Sequence, residues 1–342
     1  MNNLISVVGA GSWGTAIAKL LADKGCDVKL WVRDKELAER INSTRENPDY
    51  LPGAMLPENL TAASDMEYCC SGSEAVIIAA PSHAMRDVCG QIKPFILKGQ
   101  VIVSLTKGIE NDTLLRMSEI ICEFMPENEV GVVSGPSHAE EVAKGIPTAV
   151  VASSRKRITA EYIQDIFMTP MFRVYTNPDI IGVELGGSLK NVMALGAGII
   201  DGLELGDNTK AAIMTRGIVE MARLGESLGA SRNTFAGLSG IGDLIVTCTS
   251  MHSRNRRAGI AIGQGKSVEE VLGSTKMVVE GIRTTKSACM LAKRQGVEMP
   301  ITQEIYNLLF NRADIRKSVM NLTTRTKTHE IEDIAELKGF DW

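Results

Sequence analysis

The sequence lacks an excess of charge of either sign. Its 37 basic and 41 acidic residues leave a formal net charge of -4, so no broad positive field draws it to nucleic acid or to an anionic membrane. Any anionic ligand must be held by a local site. The seven cysteines, at 26, 69, 70, 89, 122, 248 and 289, are odd in number and form neither a CxxC pair nor a Cys/His set with metal-ligand spacing. That usage fits a reducing cytosol, and no metal site is expected. Met-Asn-Asn at the start carries no basic side chain, and the apolar run after it ends at a glycine turn, unlike a secretory leader. Apolar stretches such as Val192 to Ile200 are too short to cross a bilayer, so membrane insertion is not expected. Internal repeats and low-complexity segments are also missing.

What is present divides in two. A chain of 342 residues exceeds what one core usually organises, which favours two domains. Short apolar runs alternate with helical patterns through the first half, the signature of an α/β fold with a parallel sheet and crossover helices. The predicted strands are Leu4 to Val8, Asp27 to Val32, Ala75 to Ala79, Gln100 to Leu105, Glu129 to Val133, Thr148 to Ala152 and Phe172 to Tyr175. Asn47 to Pro57, with three prolines and a glycine, reads as a long surface loop. After Asn177-Pro178 helical periodicity takes over, through Leu185 to Ile200, Thr209 to Leu228, Ser267 to Leu272, Thr284 to Gln295 and Thr302 to Phe310. Asp207 or Asn208 is expected to cap the Thr209 helix and Gly229 to end it. Asn321 to Trp342 reads either as a final helix or as a loosely held tail. The expected domains are 1–180, a Rossmann-type doubly wound sheet, and 181–342, all helical.

Leu4 to Val8 runs into Gly9-Ala10-Gly11-Ser12-Trp13-Gly14, and Thr15 to Lys24 continues with good helix formers. This is the dinucleotide fingerprint in its required strand-to-helix context. Gly9 permits the tight turn, Gly11 clears space for a pyrophosphate, and Gly14 lets helix and strand approach. The second strand ends Trp31-Val32-Arg33-Asp34. Arg33 suits a 2'-phosphate, although an exposed strand-end charge explains it too.

Taken with Thr106-Lys107-Gly108-Ile109-Glu110, Ser134-Gly135-Pro136-Ser137, Glu184 to Asn191, Gly240-Ile241-Gly242-Asp243-Leu244 and Ser253-Arg254-Asn255-Arg256-Arg257, the fingerprint resembles that of the NAD(P)-dependent glycerol-3-phosphate dehydrogenases. The resemblance runs from about Leu4 to Phe310. It implies reversible hydride transfer between NADPH or NADH and dihydroxyacetone phosphate, giving sn-glycerol 3-phosphate for glycerophospholipid synthesis, in a cytoplasmic homodimer. By motif position it puts the backbone near Ser12 and Trp13, with Arg33, Tyr50, Lys107, Ala139, Arg254, Val278 and Glu280, at the cofactor, NAD or NADP. It puts Lys107, Gly135, Ser137, Lys190, Asp243, Ser253, Arg254 and Asn255 at the substrate. A phenylalanine is familiar in this family where His138 stands, so His138 receives no catalytic role.

Oxidising a secondary alcohol needs a group that takes the hydroxyl proton while hydride leaves. Lys190 is the candidate, provided that burial or a nearby cation lowers its pKa from the free value of about 10.4. Spacing alone also allows a solvated position on an amphipathic helix. Lys107 is either that second cation and a substrate contact or a turn lysine facing water. Asp243 is either a helix cap or a partner of Lys190 and the substrate. Arg254 is the candidate for the substrate phosphate, because the planar guanidinium fork matches phosphate oxygens. Gly135 and Ser137 follow a strand end, where ligands of a doubly wound sheet collect, or form only a turn. A different substrate on the same two-domain plan, such as a hydroxyacyl thioester or a sugar-acid phosphate, and a non-catalytic nucleotide sensor are the competing readings.

Overall fold

The computed structural model describes residues 3–275, 277–327 and 330. An eight-stranded sheet carries the first half, with β1 (Leu4–Val8), β2 (Asp27–Trp31), β3 (Leu60–Ala63), β4 (Ala75–Ile78), β5 (Val101–Ser104), β6 (Glu129–Ser134), β7 (Thr148–Ser154) and β8 (Phe172–Asn177). Their spatial order is β3-β2-β1-β4-β5-β6-β7-β8. Successive residues of the central strands feed opposite faces. Ile5, Val7 and Ile77 join the core beneath the Ser12–Asp23 helix, whereas Val8, Val76 and Ile78 pack on Met85 and Ile120. Both faces are therefore covered, as the near-continuous apolar runs require.

Two strand expectations need correction. β3 was not predicted: Leu-Thr-Ala-Ala is short and has little β-branched character, and it is ordered as an edge partner of β2. The sheet is also not wholly parallel. β1 to β6 run parallel, but β7 pairs antiparallel with β6, and β8 is parallel to β7. The only helix between β6 and β7 is Ala139–Ala143. Five residues at about 1.5 Å each cannot carry the chain back along a six-residue strand, so β7 returns in the opposite direction. The Asn47–Pro57 loop is irregular but not merely superficial, since Asn47, Leu51 and Leu56 are buried.

Beyond β8 the described elements are helical. The Ile180–Gly202 helix is their axis, buried along nearly its whole length, as its apolar character all round demands. The next long helix begins at Gly206 after Leu205, one turn earlier than predicted, and Asp207 lies in its first turn instead of capping it. Gly229, with φ +89°, follows its end. A helix spans Ile315–Thr323; the rest of the predicted tail lies largely outside the described residues.

The axial helix is crossed most closely by Arg254–Gly263. Gly198 and Gly202 face Gly259 and Gly263, and a β-carbon on Gly259 would stand 2.9 Å from Gly198 Cα and from Ile199 N. Backbone lies on both sides, so neither helix can yield by a side-chain rotation. Gly259→Ala is expected to lower stability by about 1–3 kcal/mol through forced separation of the two helices. Urea unfolding measures this, and an unchanged midpoint would contradict the close crossing.

Candidate active site

The glycine turn is built as its sequence requires. Gly9 has φ +113°, and a β-carbon there would stand 2.8 Å from the Ala79 carbonyl oxygen of the strand-end loop after β4. At Gly14 a β-carbon would run into the Gly9 carbonyl. Gly11 has nothing within 4 Å of its missing side chain. That open space lies at the start of the Ser12–Asp23 helix, whose first turn has no side-chain cap and no acidic residue. Its free amides and positive dipole end suit an anionic pyrophosphate. Beside them Trp13 Nε1 is buried with no hydrogen-bond partner. The irregular loop braces the turn: Asn47 Nδ2 donates to the Ala10 carbonyl at 2.9 Å and to Thr15 Oγ1 at 2.8 Å, and Ser12 Oγ donates to the Tyr50 carbonyl at 2.6 Å. These residues fit a dinucleotide.

A second set of groups borders the same sheet edge. Ser82, in the loop after β4, donates its N–H to Glu280 Oε1 at 3.0 Å and its hydroxyl to Oε2 at 2.6 Å. Glu280 opens the Glu280–Gln295 helix, so this contact joins the sheet half to the helical half. Arg33 is exposed after β2. Its neighbour Asp34 accepts from the Glu36 and Leu37 amides and caps the Lys35–Thr44 helix.

Deeper in the cleft, two helices and two strand ends meet at one carboxylate. Asp243 is 1% exposed. Its Oδ2 accepts from Lys107 Nζ at 2.7 Å, and its Oδ1 accepts from Lys190 Nζ. Lys107 follows β5 and also donates to the Gly135 carbonyl after β6, at 2.9 Å. Lys190 is buried on the axial helix and donates to Thr247 Oγ1 at 2.7 Å. The Thr247 hydroxyl in turn donates to the Asp243 carbonyl at 2.6 Å. Its lone pairs therefore face the lysine. With three N–H groups and two acceptors, the Lys190 ammonium keeps one donor uncommitted.

Burial dominates the electrostatics. It lowers the Lys190 pKa to about 8, with Asp243 opposing the shift and Lys107 adding to it. For Asp243 burial acts to raise the carboxyl, but the ammonium groups of Lys107 and Lys190 together hold it below its ordinary value. Arg254 opens the Arg254–Gly263 helix. It remains open to solvent, yet protein crowds it enough that lost hydration lowers its pKa, with Glu280 the leading opposing charge. Among the described residues it has no hydrogen-bond or salt-bridge partner.

The sequence matches the description "NAD-dependent glycerol-3-phosphate dehydrogenase N-terminus" over residues 4–160 and the corresponding C-terminus over 179–320. The chain belongs to the NAD-dependent glycerol-3-phosphate dehydrogenase family. Two relatives, each named glycerol-3-phosphate dehydrogenase [NAD(P)+], show how near it lies. That of Pelotomaculum thermopropionicum is 54% identical over 339 residues, covering 98% of this chain and 97% of the relative. That of Moorella thermoacetica is 55% identical over 332 residues, covering 97% and 99%. The crystal structure of glycerol-3-phosphate dehydrogenase from Coxiella burnetii superposes with a TM-score of 0.91 at 38% identity, over 94% of this chain and 99% of that one. A 2-dehydropantoate 2-reductase from Geobacter metallireducens, at 17% identity and TM-score 0.59, covers 91% of this chain and all of its own, and shares the fold alone.

Within this glycerol-3-phosphate dehydrogenase fold the candidate residues fall into groups. Lys107, Gly135, Lys190 and Asp243 meet in one network, with Ser137 Oγ donating to the Gly135 carbonyl at 2.9 Å. Asp243 is not the helix cap that its position allowed, because its carboxylate is committed to lysines; nor does Lys190 occupy a solvated face. Ser253 is a cap, accepting from the Arg256 amide. Asn255 ties helices together, donating to Asn191 Oδ1 and accepting from the Gly281 amide. Of the basic run, Arg256 is paired with Asp201 and Arg257 with the Met251 carbonyl, leaving Arg254 free. Ala139 packs in the nucleotide-side core, and Val278 is half-buried before the Glu280 helix. His138 approaches the Val246 carbonyl at 3.5 Å; burial and then the Lys190 charge lower its pKa, and no hydrogen bond joins it to Lys107, Asp243 or Lys190 among the described residues.

Sequence reasoning missed Thr247, Ser82 and Asn47. Thr247 lies four residues after Asp243 and so on the same helical face, a signal that was readable. Ser82 follows the end of β4, where such sheets gather ligands, and was readable by the same rule as Ser137. Asn47 carried no local signal. The buried pair of Arg116 with Glu184, reinforced by the Ser118 amide at 2.8 Å to Glu184, was also unforeseen; it anchors the axial helix to the sheet half. A cavity of about 830 Å3 among the outer helices shares no lining residue with this network.

Proposed function

We propose that this chain interconverts dihydroxyacetone phosphate and sn-glycerol 3-phosphate, with residues 1–180 holding NADP or NAD and residues 181–342 holding the substrate. The observation that carries this reading is a buried lysine of lowered pKa, held by an aspartate that also binds a strand-end lysine, at the sheet edge that bears the glycine turn. A bound nicotinamide supplies or accepts the hydride. Lys190 gives its uncommitted proton to the carbonyl oxygen in reduction and takes the hydroxyl proton in oxidation. Asp243 and Thr247 orient that ammonium. Lys107 adds positive charge near the reacting oxygen and, with the Gly135–Ser137 turn, shapes the substrate pocket. Arg254 binds the phosphate.

Arg254→Ala is expected to raise the KM for dihydroxyacetone phosphate by roughly tenfold to a hundredfold, the loss of one charge-assisted contact. An unchanged KM would remove Arg254 from the phosphate site. The reading as a whole is tested by following oxidation of NADPH and of NADH with dihydroxyacetone phosphate and with a panel of other ketoacids and acyl thioesters. Turnover confined to the phosphoketone supports it; tight nucleotide binding without turnover of any phosphoketone overturns it. A homodimeric state, a cytoplasmic location and a role in supplying glycerophospholipid synthesis are further parts of the proposal. They draw on the family's character, and on the lack, among the described residues, of a helix long and apolar enough to cross a membrane.

A further inference from the structure

Two arginines and a histidine come from two strand ends and from one helix. Arg33 follows β2 and His83 follows β4, the two strands that flank β1 and its glycine turn. Arg283 belongs to the helical half. It lies three residues beyond Glu280, one turn along the same helix and exposed. The paired hydrogen bonds from Ser82 to Glu280 press the loop after β4 against that first turn, which brings His83 and Arg283 to the same junction.

Neither Arg33 nor Arg283 has a hydrogen-bond or salt-bridge partner among the described residues. The acid beside Arg33 is spent as a helix cap: Asp34 accepts two backbone amides and does not neutralise the arginine. An acid at this strand end ordinarily reads a free ribose 2'-hydroxyl. Here the acid is engaged by helix amides, and Arg33 and Arg283 are exposed. Glu280 and Asp87 are the nearby acids, but neither forms an ion pair with Arg33 or Arg283 among the described residues, so a divalent anion would relieve the remaining repulsion.

We infer that Arg283 and His83 complete, with Arg33, a site for the 2'-phosphate of NADP, so that nucleotide specificity is read jointly by the sheet and by the Glu280–Gln295 helix. The Ser82–Glu280 pair is the positioning device, since it ties the helix that carries Arg283 to the loop that carries His83. Burial and then the charge of Arg283 depress the His83 pKa, with Arg33 adding to the effect and Glu280 and Asp87 opposing it, consistent with mutual proximity. The inference rests on the proposed nucleotide binding but not on the identity of the oxidised substrate.

Calorimetric titration of the full chain with 2',5'-ADP and with 5'-AMP tests it. For Arg283→Ala, the affinity for 2',5'-ADP is expected to fall about tenfold or more while that for 5'-AMP changes less than threefold. Arg283→Lys should keep part of the preference and Arg283→Glu should abolish it. Arg33→Ala should behave like Arg283→Ala. Equal losses for the two probes, or an unaltered 2',5'-ADP affinity in Arg283→Ala, would overturn the inference. Failure of the dehydrogenase reading would show instead as absent turnover of dihydroxyacetone phosphate by the unsubstituted protein, whatever these affinities are.

Discussion

Replacing Lys190 with methionine is expected to lower kcat by about a hundredfold to ten-thousandfold, the usual contribution of a positioned acid or base. Methionine preserves the length and apolar stem of the side chain, and Asp243 keeps its bond from Lys107 at 2.7 Å, so no buried carboxylate is orphaned. The variant should therefore fold, and circular dichroism with a thermal melt checks that it does. Nucleotide affinity should change little, because the glycine turn, Asn47 and the first turn of the Ser12–Asp23 helix make no contact with position 190. In the unsubstituted protein, alcohol oxidation needs Lys190 neutral. With its pKa lowered to about 8, oxidation should rise as pH increases through about 8, and carbonyl reduction, which needs the ammonium, should fall over the same range. That limb should vanish from any residual activity of Lys190→Met. Retained turnover, or an unaltered pH profile, would exclude the lysine from proton transfer.

The second large effect is expected at Asp243. Asp243→Asn removes the one anion shared by two ammonium groups, and Lys190 has no other acidic partner among the described residues. Breaking a buried ion pair from one side costs about 3–5 kcal/mol. The lower end is expected here, because the Lys107 side chain is one-fifth exposed and can turn towards water. Urea unfolding measures the loss. The kinetic consequence has a defined sign. Asp243 raises the Lys190 pKa against burial, so without it the neutral amine forms at lower pH and the limb of the oxidation profile moves below about 8. A limb that stays in place would show that the carboxylate does not govern the lysine, and unchanged stability would show that the pair is not a structural linchpin.

These expectations depend on features of very different legibility. The glycine turn is local. A β-carbon at Gly14 collides with the carbonyl of Gly9 within the same motif, and although one at Gly9 meets Ala79 of the neighbouring strand end, the chemistry of the motif follows from its own spacing on a strand and a helix. The apolar runs of the central strands were legible for a similar reason, because covering both faces of a sheet forces nearly every residue to be apolar. β3 was not, since an edge strand of four residues is ordered by its neighbour and not by its own propensity. The reversal at β7 was likewise invisible, because it follows from how far a five-residue helix can carry the chain.

In the site, residue types pointed to roles that spacing could not separate. Ser253 and Asp243 both stand at helix starts, and Asp243 was the possible cap. Ser253 is a cap; Asp243 is not, because two lysines from elsewhere in the chain reach its oxygens. Arg254, Arg256 and Arg257 form one basic run, yet among the described residues only the first lacks a hydrogen-bond or salt-bridge partner. Asp34 follows Arg33 at the strand end, and its carboxylate caps a helix. Local order along the chain thus determined the nucleotide turn, the α/β and helical halves and the kinds of side chain available for chemistry. Tertiary structure alone decided which of them meet, because Lys107, Lys190 and Asp243 are far apart in sequence, and Lys190 and Asp243 acquire lowered pKa values only when burial removes water and leaves each charge to its neighbours.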